Sequence, residues 1–357
     1  MRILILNWKD EAHPRAGGAE VFTQRTASAL VARGHEVTLF ASAVDGRPES
    51  EVVDGVRIHR SGTRLGVYRA ARRFWERCPP RSFDVVIDEI NTRPFHAPRW
   101  VRDTPVVALI HQLAREVWFT ETPLPIALAG RYVLEPMWLR AYRDVPVLAV
   151  SESTADSLRR LHGFRSVSVI PEGLTPVAVP ELEKEPAPTI VFLGRLVGMK
   201  RPDHAIRAFA VLRERFPDAR LWVIGRGPLE RRLRRAAPAG VEFLGGVSVE
   251  ERTRRLARAH VLVATSVREG WGMNVSEAAQ VGTPAIAYAV PGLVDSVALA
   301  DGMLVEPTPA ALGAALVSFF SGDTTLVPTH AVGTWDDVAD AIEAELRKVV
   351  NAPPPRR

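Results

Sequence analysis

"LTPVAVPELEKEPAP", residues 174–188, is the stretch that divides this chain. It is rich in proline and glutamate and follows neither the twofold rhythm of a strand nor the 3.6-residue rhythm of a helix, so it reads as a linker. The same alternation runs on both sides of it. Before it come "RILILNW" (2–8), "HEVTLFAS" (35–42), "GVRIHRSG" (55–62), "FDVVIDE" (83–89), "PVVALIH" (105–111), "VPVLAVS" (145–151) and "SVSVIPEG" (166–173). These are short apolar runs of the parallel-sheet kind, separated by helical patterns such as "AEVFTQRTASALVARG" (19–34). After it, "TIVFLGRL" (189–196), "ARLWVIGRG" (219–227), "VEFLGG", "HVLVAT" and "PAIAYAV" alternate with helices at 203–215, 228–237 and 249–259. An α/β alternation that stops and restarts implies two doubly wound, Rossmann-like domains. Their expected bounds are 1–174 and 189–333, with a linker at 175–188 and a helix plus tail at 334–357.

Composition fits that architecture. With 357 residues, 46% hydrophobic and 24% charged, the chain suits two globular cores. Its apolar runs fall well short of the ~20 residues of a membrane-spanning helix, and the N-terminus lacks the pattern of a secretory signal. Cys78 is the only cysteine, which excludes an internal disulfide framework and fits a cytoplasmic location. The net charge of +5 is carried mainly by arginine, clustered at Arg69/Arg72/Arg73/Arg77, Arg231/Arg232/Arg234/Arg235 and Arg252/Arg254/Arg255/Arg258. Such clusters meet phosphates, anionic lipid or nucleic acid, or are solvated helix faces, the reading favoured for the last two; with no zinc-finger spacing, RNA-binding aromatic signature or basic tail, nucleic acid is not the expected partner.

In doubly wound sheets ligands bind at the carboxyl ends of strands, so the functional loops of both halves are expected to converge on an interdomain cleft. Four such loops carry chemistry. In "KDEAHPRAGGAE" (9–20), Gly17 and Gly18 precede a helix, and their backbone N–H groups either approach an anion or only make a tight turn. In "LIHQL" (109–113), His111 ends an apolar strand and is either a catalytic or a structural histidine. In "FLGRLVGMKRPDHAI" (192–206), Arg195 and Lys200 lie just past a strand, where a guanidinium and an ammonium together could neutralise a diphosphate.

The fourth loop lies in "SVREGWGMNVSEAAQVGTPAIAY" (266–288), where seven residues separate Glu269 from Glu277. Gly270 and Gly272 let the chain turn beside a ligand, and a helix is expected to begin near Asn274 or Val275. The N–H groups of Met273, Asn274 and Val275 would then face an anion. Glu277, expected in the first helical turn, suits a vicinal diol, though it could simply offset the helix dipole.

The Glu269–Glu277 spacing resembles the EX7E signature of retaining GT-B glycosyltransferases, glycosyltransferase family 4. The likeness extends to "GGAEVFTQRTASALVARGHEVTLF", "VSESTADSLRRLHGF", "VIPEG", "FLGRLVGMKRPDHAI" and "LWVIGRGP", and so covers nearly the whole chain. The resemblance implies that Glu277 binds the nucleotide ribose and that Glu269 holds donor-sugar hydroxyls. It implies that Arg195 and Lys200 clamp the donor diphosphate, helped by Gly17, Gly18, Gly272, Met273, Asn274 and Val275. His111 would lie near the transferred sugar. Catalytic roles thus fall to His111, Arg195, Lys200 and Glu269, and the family's usual independence of metal implies no metal and no cofactor besides the nucleotide sugar. The terminal segment "TWDDVADAIEAELRKVV" (334–350) would cross back to the first domain, as in such folds.

Two positions depart from the family pattern. Many relatives have "IPNG" where this chain has "IPEG" (170–173), placing Glu172 where an amide is usual, and Gln112 stands where Asp is frequent. The acceptor stays open among glycan, lipid-linked and small-molecule hydroxyls. Segment 115–143 mixes Trp118, Phe119, Tyr132, Trp138 and Tyr142 with arginines. It reads either as a helix pair packed in the first domain or as a surface for peripheral association with the inner face of a membrane. The alternative functions are a non-catalytic sugar-nucleotide-binding protein and a GT-B epimerase. Donor base and sugar, linkage, pathway and oligomeric state do not follow from these motifs.

Overall fold

The protein is described by a computed structural model covering residues 1–178, 182–329 and 332–352. The middle of the expected linker, 179–181, and the tail from 353 lie outside the described residues.

The chain forms two compact units, Met1–Arg115 with Leu128–Gly173 and Gly333–Arg357, and Glu116–Ala127 with Leu174–Val332. Residues 116–127, expected in the first domain, therefore group with the second. The expected linker is also less loose than its composition suggests. Lys184 Nζ donates to Ala259 O and Thr283 Oγ1, each at 2.8 Å, and Glu185 is held by Arg258 at 2.7 Å. The Lys184 hydrogen bonds and the Glu185–Arg258 ion pair thus fix the end of this segment within the second unit.

The first unit is built on an eight-stranded sheet. Its strands are β1 (Arg2–Leu6), β2 (Glu36–Ala41), β3 (Ser50–Val53), β4 (Val56–Arg60), β5 (Val85–Glu89), β6 (Val106–Ile110), β7 (Val147–Ala149) and β8 (Val167–Val169). They lie in the order β3-β4-β2-β1-β5-β6-β7-β8, all parallel except the β3–β4 hairpin. The central strands carry buried apolar runs because helices cover both faces, as Ile3, Leu4, Val85, Val86, Val107 and Ala108 show, and β5 closes its run with the buried acids Asp88 and Glu89. Helix Gly18–Ala32 packs against the terminal helix Trp335–Asn351, and Arg33 bonds both Asp336 (2.9 Å) and Asp340 (2.7 Å). Thr334 and Asp337 form a reciprocal capping box that starts the terminal helix.

The second unit holds a six-stranded parallel sheet of β9 (Thr189–Leu193), β10 (Arg220–Ile224), β11 (Val241–Gly245), β12 (Val261–Ala264), β13 (Ala285–Tyr288) and β14 (Met303–Val305). Its order is β11-β10-β9-β12-β13-β14. Strand order reverses between β9 and β12 here, and between β1 and β5 in the first sheet. Loops that leave such a pair in opposite directions open a crevice at the carboxyl ends, which is where ligands of this architecture bind.

Segment 115–143 is a broken helical run: Val117–Glu121, Leu124–Ala129, a wide turn at Gly130–Leu134 and Glu135–Arg140. Its apolar side chains are not all packed, and Leu124, Ile126, Leu128, Tyr132, Val133 and Met137 are exposed. No helix among the described residues is long and apolar enough to cross a membrane.

Candidate active site

At the switch point of the second sheet, Arg195 and Lys200 follow β9, and Glu269 follows β12. The β9 loop is locked by backbone contacts that tolerate no side chain. A Cβ on Gly225 would lie 2.0 Å from Gly194 O, and one on Gly227 would lie 2.4 Å from Leu196 O. Thr265 Oγ1 donates to the carbonyls of Lys200 and Arg201 at 2.9 Å, tying this loop to the end of β12. On that scaffold the Lys200 ammonium meets Glu269 Oε1, which also accepts from Ser266 Oγ at 2.5 Å. Glu269 is buried, and its other oxygen has no partner among the described residues. Arg195 is exposed, and its guanidinium has no hydrogen-bond or ion-pair partner among the described residues. The loop after β9 thus carries one cation paired with a fixed anion from the β12 loop and one exposed cation without a partner among the described residues.

Helix Met273–Gln280 begins at Gly272, whose φ of 104° and approach to Leu293 and Ser296 require glycine. The N–H groups of Met273 and Asn274 meet no acceptor among the described residues, as an anion-binding helix N-terminus requires. The Asn274 side chain fixes that end by donating to Leu193 O at 3.0 Å. Two sequence expectations need correction. Val275 is buried, and its N–H is accepted by Asn274 Oδ1 (3.0 Å) and Gly272 O (2.9 Å), so it offers nothing to a ligand. Because the helix starts at Met273, Glu277 lies in the second turn, and the dipole-offsetting reading no longer applies. Glu277 pairs instead with Arg252 at 3.3 Å, which takes that arginine out of the solvated cluster.

Segment 116–127 braces this loop system. Met199 N donates to Glu121 Oε1 at 2.9 Å, and a Cβ on Gly198 would lie 2.7 Å from Thr120 O. Arg268, next to Glu269 and buried, donates to Glu116 at 3.2 Å. Sequence reading missed this support because it joins residues 152 positions apart.

In the first unit, the helix N-terminus at Gly17 differs from expectation. Gly17 N–H donates to Glu20 Oε2 at 2.6 Å, and Lys9 Nζ pairs with Glu20 Oε1 at 3.0 Å. The chain's own carboxylate occupies the anion position, leaving Gly18 as the exposed member of the pair. Burial pushes the Glu20 carboxyl upward while Lys9 opposes the shift.

His111, just past β6, is buried with its ring edge-on to Phe22 at 5.0 Å. Its Nε2 lies 3.1 Å from Glu89 Oε1 at the end of β5, and Nδ1 lies 3.6 Å from Glu172 Oε1. Thr23 Oγ1 donates to the other Glu89 oxygen at 2.6 Å. Burial alone would lower the His111 pKa, but Glu172 and Glu89 overcome it and push it up to about 10. Two carboxylates therefore hold an imidazolium at the carboxyl edge of the sheet. The partnership of Glu89 was not read from sequence, although an acid ending the buried run "VVIDE" was its available signal.

Comparison with known proteins supplies a context for this geometry. The family model described as glycosyl transferases group 1 matches residues 178–326, and that described as Glycosyltransferase Family 4 matches 16–176. A GDP-mannose-dependent alpha-(1-6)-phosphatidylinositol dimannoside mannosyltransferase of Mycobacterium tuberculosis is 26% identical over 345 residues, covering 86% of this chain and 85% of that one. A D-inositol 3-phosphate glycosyltransferase of Actinosynnema mirum is 29% identical over 354 residues, covering 81% and 79%. Among solved structures, sucrose-phosphate synthase from Thermosynechococcus elongatus matches with a TM-score of 0.73 at 19% identity, covering 99% of this chain and 100% of that one. WaaG, a glycosyltransferase involved in lipopolysaccharide biosynthesis, matches with a TM-score of 0.69 at 17% identity, covering 98% and 100%. These structural likenesses concern the fold.

Proposed function

Because the chain belongs to the group 1, family 4 glycosyltransferases and has the GT-B fold, we propose that it is a retaining, metal-independent hexosyltransferase. It moves a sugar from a nucleoside-diphosphate donor to an acceptor hydroxyl. The observation that carries this reading is a loop after β9 that bears the Lys200 cation paired to Glu269 and an exposed Arg195 with no partner among the described residues, together with the open helix N-terminus at Met273.

In this reading Arg195, Lys200 and the N–H groups of Met273 and Asn274 hold the donor diphosphate. As the bond from the anomeric carbon to the phosphate oxygen breaks, negative charge grows on the diphosphate, and fixed cations and amide dipoles stabilise it. The sugar passes through an oxocarbenium-like state. The acceptor oxygen forms its new bond on the face the phosphate leaves, and the acceptor proton passes to that phosphate. The free oxygen of Glu269 orients sugar hydroxyls, and Glu277, held by Arg252, takes the ribose diol. In the first unit, the resemblance assigns Gly18 to the donor diphosphate and His111 to the transferred sugar. No step needs a metal, because the protein's own cations provide the charge.

A lipid-linked acceptor is favoured by the exposed apolar side chains between Leu124 and Met137, accompanied by Arg140. The name of the phosphatidylinositol dimannoside mannosyltransferase relative agrees with that choice, and its donor makes GDP-mannose the first candidate.

The test is transfer from a nucleotide-sugar panel, with and without EDTA, and NMR assignment of the product anomer. Activity that withstands EDTA with the donor's anomeric configuration kept supports the proposal. An inverted product or loss of activity with chelator overturns it.

A further inference from the structure

Two arginines of the first unit stand on aromatic rings rather than on carboxylates. Arg64 lies between β4 and the helix Val67–Arg77, and its guanidinium carbon is 5.9 Å from the centre of the Trp8 ring, in the loop after β1. Arg93, in the loop after β5, is 4.4 Å from the centre of the Tyr68 ring, in the first turn of that helix. Both arginines are exposed, and neither has a hydrogen-bond or ion-pair partner among the described residues. Stacking on an aromatic face holds a guanidinium in place and leaves its edge of N–H donors open. The rings are held in turn: Trp8 meets His13 edge-on at 5.3 Å, and Tyr68 packs on the buried Phe95 at 4.9 Å.

The buried carboxylates on the same three strand-end loops are committed elsewhere. Asp10 is held by Arg60, Glu20 by Lys9, Asp88 by the Phe95 and Ala97 amides and Glu89 by His111. The first turn of Val67–Arg77 carries no acid either. The Tyr68 hydroxyl also has no hydrogen-bond partner among the described residues. Burial, reinforced by Asp88, pushes its pKa up to about 12, while Arg93 and Arg64 both pull the other way. The phenol therefore keeps its proton at neutral pH, and both cations act on it. Two guanidiniums and a phenolic O–H offer positive charge and donors in excess. A phosphate brings what is missing, negative charge and several acceptor oxygens that guanidiniums bind in forked pairs. A plain hydroxyl brings one oxygen and no charge.

We propose that Arg64, Arg93 and the Tyr68 hydroxyl form a phosphate-binding site on the first unit, and that it serves a phosphate-bearing acceptor. In the reading above the donor diphosphate has its cations in the second unit, which leaves this pair for the other substrate. The acceptor assignment rests on that transferase reading; the anion site itself does not.

Two experiments on the full chain decide it. The first is NMR of the arginine Nε–H groups, with Arg64 and Arg93 assigned by their loss in Arg64→Gln and Arg93→Gln. Inorganic phosphate, inositol 3-phosphate, inositol and GDP are titrated in turn. Both signals should move saturably with the two phosphates and stay still with inositol; no movement with phosphate overturns the site. If GDP moves them as strongly and competes with inositol 3-phosphate, the pair serves the donor and the acceptor assignment falls. The second is transfer from the preferred nucleotide sugar to acceptors with and without phosphate. These are inositol and inositol 3-phosphate in solution, and phosphatidylcholine vesicles with and without phosphatidylinositol. Arg64→Gln and Arg93→Gln should raise the KM for the phosphate-bearing acceptor about 10- to 100-fold, with kcat and GDP affinity nearly unchanged. Tyr68→Phe should raise it several-fold. Use of the vesicles alone identifies a lipid headgroup as the source, and use of the soluble compound a free phosphate ester; either supports the proposal. Equal use of acceptors with and without phosphate, transfer to neither phosphate-bearing acceptor, or an unchanged KM in the variants overturns the acceptor assignment. A wild type that binds no nucleotide removes the transferase reading instead, and the arginine titration then decides the anion site alone.

Discussion

The Lys200 ammonium rests on the same oxygen of Glu269 that accepts the Ser266 hydroxyl, joining the carboxyl ends of β9 and β12 across the switch point of the second sheet. The pair gives Glu269 a fixed position and leaves its second oxygen for a ligand. Lys200→Ala should therefore lose both a diphosphate cation and the hold on Glu269. We expect kcat/KM to fall at least 10²-fold, the scale seen when one preorganised transition-state partner is removed. Steady-state kinetics on the preferred donor check this; a change under threefold would remove Lys200 from the site.

Glycine at 292 maintains the other side of Glu269. A Cβ there would lie 2.3 Å from Glu269 O at a φ of +84°. Gly292→Ala should cost about 2–4 kcal/mol and displace the carboxylate, lowering Tm and activity together. Gly282, with a similar φ of +73° and open space around it, is the control, and Gly282→Ala should cost only about 1 kcal/mol. Thermal unfolding of the two variants separates collision from backbone strain.

The brace at Glu121 should be felt in the Lys200 loop. Removing its carboxylate in Glu121→Ala leaves Met199 N–H without its acceptor. Hydrogen exchange at the Met199 amide should accelerate, stability should fall by roughly 1–2 kcal/mol, and diphosphate affinity should weaken several-fold. Unchanged exchange at Met199 would show that the loop stands without this segment.

Acid sensitivity has identifiable sources. Burial, reinforced by nearby arginines, holds His96 and His162 down to about 4. The unfolded chain takes up protons first, from ~6.5 downward, so the stability these neutral rings contribute is lost as pH falls through the window to about 4. His111 runs the opposite way: its contribution is complete below ~6.5 and is lost as pH rises toward about 10. Tm measured from pH 4.5 to 7.5 should fall on the acid side, and less steeply in His162→Gln. An unchanged slope in that variant would exclude His162 as a source.

Much of this was legible in the sequence because it is local. The apolar runs of β1, β9 and β12 and the glycines before Met273 reveal buried parallel strands and a glycine-led helix start without any knowledge of tertiary structure. Arg195 and Lys200 were readable for the same reason, since position past a strand end is a one-dimensional property. What escaped depends on pairing at a distance. Gly17 read as an open anion site, yet the carboxylate of Glu20 three residues later fills it. Val275 read as a donor, but Asn274 and Gly272 had already taken its N–H. The partners of Glu277 and Arg268, which are Arg252 and Glu116, carry no local signal at all.

The central claim is that the second unit grips a nucleoside-diphosphate sugar, and donor calorimetry in EDTA on wild type, Arg195→Ala and Glu277→Ala tests it most directly. One nucleotide sugar should bind wild type at micromolar levels. Arg195→Ala should weaken the sugar nucleotide and its diphosphate alike, about 10- to 100-fold, while Glu277→Ala weakens the nucleoside as well. Well-folded protein that binds no nucleotide sugar, or that binds one equally in all three forms, would contradict it.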